Sequence, residues 1–177
     1  MASATHPGAL LIRIEALMLS PTDQLIDSFA SKLKRLGVPI RAENNVTRLA
    51  ELEAGLPKRL PKSFESLLSR YSFPPFDSCG ISFFGWDSAS GNLFDVASAP
   101  KGSLSELLLP SGYIQIGRPE GGDFDAACFD VNAERQNREY RIVQANHEEI
   151  LCNSRVKIRG ELWPSFRKLV QHQLLSL

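Results

Sequence analysis

Residues 125–131 (DAACFDV) constrain the fold more than any other stretch of this chain. Read as a strand, they point Ala127, Phe129 and Val131 one way and Ala126 and Cys128 the other. Small or apolar side chains on both faces describe an inner strand covered on both sides, not one with a wet face. Further segments with strand period flank it: residues 80–86 (GISFFGW), 93–99, 113–117, 140–145 and a short one at 156–158. In residues 140–145, Tyr140, Ile142 and Gln144 share one face.

Helical spacing dominates elsewhere. Ser20 with Asp23 three residues on forms a capping box, and Pro21 suits the first helical position. Leu25, Ile26, Phe29, Leu33 and Leu36 then make one apolar stripe, ended by Gly37 and Pro39. A second helix carries Val46, Leu49 and Leu52, and a third opens at Pro61 with Phe64, Leu67, Leu68 and Tyr71. Ser103 and Glu106 suit a short helical turn, and a last helix opens near Pro164 with Phe166, Leu169, Val170 and Leu174. The fold class is therefore α+β: a single mixed, mostly antiparallel sheet flanked by helices, with an N-terminal helical extension. No linker separates two domains.

The totals exclude several classes. A chain of 177 residues with 43% hydrophobic and 23% charged side chains suits one domain with a sizeable core. Net charge is zero, so no global pull toward nucleic acid or an anionic membrane is expected. Residues 10–19 are apolar but contain Arg13 and Glu15, and they are too short to span a bilayer. Cys79, Cys128 and Cys152 form no C-x-x-C and no Cys/His cluster. Three widely spaced cysteines predict free thiols in a reducing, cytoplasmic setting.

Three segments invite chemistry. In Gly121-Gly122-Asp123-Phe124-Asp125, two carboxylates two apart could meet one divalent cation. The plainer reading is a Gly-Gly turn entering a strand. His147 lies beside Glu148 and Glu149 and could act as a general base, or it could simply start a helix after a strand. Cys128 sits in an apolar strand with Asp130 nearby and reads as a core thiol, not a nucleophile. No phosphate loop, nucleophile elbow or zinc spacing is present. No cofactor, metal or catalytic residue is assigned.

Several segments follow one another in a familiar order. Residues 46–53 precede Leu60-Pro61 and the amphipathic residues 62–71. Tyr113-Ile114-Gln115-Ile116-Gly117 leads to Gly121-Gly122-Asp123 and Cys128-Phe129-Asp130. Val143 precedes His147-Glu148, and Ser165-Phe166-Arg167-Lys168-Leu169-Val170 closes the chain. This order resembles the SUKH superfamily, which is named for the yeast cell-wall-synthesis regulator and related proteins. The likeness covers about residues 45–175 and divides the chain into an extension at 1–44 and a SUKH-like unit at 45–177, packed as one. Residues 71–76 (YSFPPF) depart from the Asn-Gly often found there.

The resemblance implies a sheet flanked by helices and a protein-binding role. Bacterial members mostly act as immunity proteins that neutralise a toxin, often a nuclease or deaminase, encoded by a neighbouring gene. Eukaryotic members act as regulators and adaptors. No catalytic residue carries over. Charge patterning agrees at one point: residues 71–130 carry a net charge of −6 between basic flanks. Asp87, Asp95, Glu120, Asp123 and Asp125 are candidate partner-binding residues for a basic toxin, with Phe84 and Trp86 as aromatic anchors. The plainer alternative is a solvated acidic surface. Competing functions are an adaptor module without a toxin partner and a metal-dependent enzyme built on Asp123 and Asp125.

Overall fold

The computed structural model describes residues 19–87, 93–121, 124–133 and 137–176. Helix α1 (Pro21–Arg35) starts where expected: Ser20 Oγ accepts the Asp23 amide at 3.1 Å, and Pro21 lacks the amide that would go unpaired there. It stops before Gly37, whose φ of +90° suits a residue without Cβ. Helices α2 (Val46–Ala54) and α3 (Lys62–Arg70) follow. Tyr71, placed on the third helix's stripe by its spacing, instead turns extended and pairs as β2 (Tyr71–Ser72) with β1 (Arg41–Ala42).

The main sheet has six strands in sequence order: β3 (Phe76–Ser78), β4 (Ile81–Phe83), β5 (Tyr113–Pro119), β6 (Ala126–Asp130), β7 (Ile142–Ala145) and β8 (Ile158–Trp163). Every pairing among them is antiparallel. Each residue of β6 is buried, as expected of an inner strand. Ala127 and Phe129 join the larger core with Ile26, Phe29, Phe64 and Phe166. Ala126 and Cys128 join a smaller core with Leu108, Val143, Ala145 and Ile150. Alternation along β6 therefore supplies two cores on opposite faces.

On the larger face lie α1, α3 and the C-terminal α7 (Phe166–Leu175), which contact one another. Phe166 sits at the centre, edge-on to Phe64 at 4.9 Å and to Phe29 and Phe83 at 6.0 Å. Such pairs add about 0.5–1.5 kcal/mol each beyond burial. Helix α1, read as an N-terminal addition, thus contributes Ile26, Phe29, Ala30 and Leu33 to the larger core. The smaller face is closed by α5 (Ser105–Leu108) and α6 (His147–Asn153).

Two further expectations change. Residues 93–99 are not a strand: α4 (Leu93–Ala97) forms there, burying Leu93 and Val96 one turn apart. The run LFDVA is apolar at both periods, and in the helical form Phe94 stacks on Trp86 at 5.4 Å and 11°. Strand β8 is longer than residues 156–158 and lies further on. It is an edge strand with Arg159, Gly160 and Glu161 exposed, so no apolar alternation is required of it. Two register shifts against β7 disturb that edge. No helix among the described residues is long and apolar enough to cross a membrane.

Candidate functional site

The turn from β5 to β6, the start of α6 and strand β8 meet around one carboxylate. Asp125, at the entry to β6, is wholly buried. A buried carboxylate is tolerated only when its lone pairs are satisfied. Its Oδ1 accepts the His147 amide at 2.9 Å and His147 Nδ1 at 2.8 Å. Its Oδ2 accepts Gln144 Nε2 at 2.7 Å and lies 3.1 Å from Arg159 Nε. Burial pushes this carboxyl up, but the His147 ring and amide, Gln144 and the Arg159 charge outweigh it. The net effect holds the group below its ordinary value.

Local sequence sets His147 in place. Asn146 Oδ1 accepts the Glu149 amide at 3.1 Å and caps α6, so His147 becomes the first helical residue. Because a carboxylate only accepts, Nδ1 carries the proton of this contact. Phe124, 64% exposed, rests edge-on against this ring at 5.8 Å. The Arg118 guanidinium lies 5.8 Å from the Phe124 ring centroid. The result is a solvent-facing aromatic mounted on a buried polar lattice.

A His–Asp pair is also half of a nucleophilic site. Among the described residues, no hydroxyl or thiol hydrogen-bonds to the His147 ring. No group of three or more His, Cys, Asp or Glu among them is placed to hold a metal ion. The thiols are free: Cys79 is half-buried, Cys128 buried and Cys152 exposed. Burial pushes the Cys128 thiol far up, with Asp130 adding to it, so it stays protonated.

The partner-binding residues read from sequence separate. Two are corrected. Asp125 is buried inside the lattice just described and offers no charge to a partner. Trp86 is fully buried, donating Nε1–H to the Leu68 carbonyl at 2.8 Å, with the Arg48 guanidinium 4.3 Å from its ring. It is a core residue, not a surface anchor. Phe84 is half-buried and packs on the larger core. Asp87 is half-buried, and its carbonyl accepts the Arg48 guanidinium. Asp95 is exposed on α4. Glu120 is exposed at the end of β5, with its amide bonded to the Gly80 carbonyl. Asp123 lies outside the described residues.

Sequence reading missed Phe124, Gln144 and Arg159. One signal was present: a carboxylate at the mouth of an inner strand must find donors, and His147 opens the helix after the neighbouring strand. No protein-family model matches this chain, and no curated protein matches it.

Proposed function

We propose that this protein works by binding another protein, as a cytoplasmic immunity protein that neutralises a cognate bacterial toxin. The observation that carries the reading is Phe124, exposed yet held by His147 and Arg118. Binding energy concentrates in a few aromatic side chains that lose little freedom on docking, and Phe124 meets that requirement. Exposed Glu120, four residues earlier in the chain, supplies negative charge. A basic toxin surface is the complementary partner.

The order of segments that resembles the SUKH superfamily supports this reading. Leu60-Pro61 links α2 to α3, and Ile116-Gly117 lies within β5. Gly117 allows β4 to pass close: a Cβ there would lie 2.2 Å from the Ser82 carbonyl oxygen. Phe129-Asp130 ends β6, His147-Glu148 opens α6, and Ser165 caps α7 through the Lys168 amide at 3.1 Å.

The test pairs the chain with the product of the adjacent gene. Co-expression is expected to protect cells from that product, and the two purified proteins are expected to form a stable complex that Phe124→Ala weakens. An adjacent gene with no toxic product, together with a growth change on deletion in monoculture, would favour a regulatory adaptor instead.

A further inference from the structure

A cleft of about 640 Å³ opens where the first turns of α1, α3 and α7 meet; its walls include Thr22, Lys62, Glu139, Arg167 and Lys168. Lys62, Arg167 and Lys168 bring three positive side chains to it. The single carboxylate of the lining, Glu139, is buried. Its two oxygens accept the Ser63 amide at 3.0 Å and Ser63 Oγ at 2.9 Å. Among the described residues, Lys62, Arg167 and Lys168 form no ion pair with any carboxylate. The acids of the helices' first turns are engaged elsewhere, Asp23 by Ser66 and Glu65 by Arg138. Arg167 Nη1 donates to Thr22 Oγ1 at 3.2 Å, which fixes the guanidinium against the wall.

Three cations in one cleft repel one another, and among the described residues the single lining carboxylate, Glu139, does not balance them. Helices of fifteen, nine and ten residues, all starting here, add partial positive charge of the same sign. Glu139 caps α3, the neutral Ser20 and Ser165 oxygens cap α1 and α7, and the three cationic side chains line the cleft between them. We propose that this cleft binds a small phosphate-bearing molecule through Lys62, Arg167 and Lys168. Its volume lies within the roughly 300–1,000 Å³ of small-molecule sites. A phosphate offers several acceptor oxygens to the guanidinium fork and the two ammonium groups at once. The cleft shares no residue with the Phe124 surface, so its failure would leave the toxin-binding reading untouched.

The probe is inorganic pyrophosphate, titrated into the full chain at constant ionic strength by calorimetry and by amide chemical shifts. Saturable binding is expected, with shifts centred on Thr22, Arg167 and Lys168. The double variant Lys62→Ala/Lys168→Ala changes exposed side chains only, so it keeps the wild-type melting temperature without ligand. It is expected to lose affinity by about tenfold or more, since each charge-assisted contact is worth that order. Absence of saturation overturns the proposal, as does equal binding by the folded variant. Binding of a poly-glutamate peptide where pyrophosphate fails also overturns it, by assigning the cleft to an acidic protein segment.

Discussion

Replacing Asp125 with Asn tests whether the buried lattice holds the β5–β6 turn in place. Asn retains one acceptor for His147 but turns an amide toward Gln144 Nε2 and Arg159, which are themselves donors. Hydrogen bonds to a charged group are worth about 1.5–3 kcal/mol each, and an orphaned buried donor adds its own penalty. Arg159 is 41% exposed, so water recovers most of its share. Gln144 can flip its amide to offer oxygen. The loss then centres on the negative charge that strengthens the two His147 hydrogen bonds, and Asp125→Asn is expected to cost about 3 kcal/mol at pH 7, at the lower end of buried-pair disruptions. For a chain of this length, that corresponds to a fall in Tm of roughly 6–12 °C. The pH dependence has a definite sign. A carboxyl held below its ordinary value stabilises fully above about pH 4 and loses that contribution as pH falls through the folded value. Urea unfolding followed by tryptophan fluorescence between pH 7 and pH 3 measures both quantities. The gap between wild type and variant is expected to narrow below about pH 4. A gap under about 1 kcal/mol at pH 7, or one unchanged across the series, would refute the reasoning.

Phe124→Ala is expected to leave Tm unchanged, because the ring is mostly exposed, while weakening partner binding by about 2 kcal/mol, roughly thirtyfold, in surface plasmon resonance. Glu120→Lys should slow association with the same partner more at low salt than at high salt; equal rates at every salt concentration would remove Glu120 from the interface. Alkylation of denatured, unreduced protein should modify all three cysteines, whereas in native protein Cys152 reacts first and Cys128 only on unfolding; a mass two daltons short, from a disulfide, contradicts this. Gly117→Ala should destabilise by about 1–3 kcal/mol in the same urea assay, because the new methyl meets backbone atoms of Ser82 and Phe83 that only a shift of β4 can clear. A neutral result there would mean that the β4–β5 approach is looser than the structure shows.

What was legible in the sequence is what depends on neighbours along the chain. Ser20, Asp23 and Pro21 start α1 and Gly37 stops it through contacts within a few residues. The two-sided character of β6 was legible because alternation at period two maps directly onto two faces. Tertiary contact decided the rest. Residues 93–97 satisfy both helix and strand periods, and the helix goes with burial of Leu93 and Val96 and stacking of Phe94 on Trp86. Gln144 and His147, hydrogen-bonded to Asp125, lie 19 and 22 residues away, and the pairing of β6 with β7 brings them to it. Charge in the acidic segment was countable, but its exposure was not. The fold turned Asp125 inward as a structural anion and left Glu120 and Phe124 facing solvent. Exposure follows from which surfaces pack together, and that is a property of strand pairing and helix docking across the whole chain, not of any local run of residues.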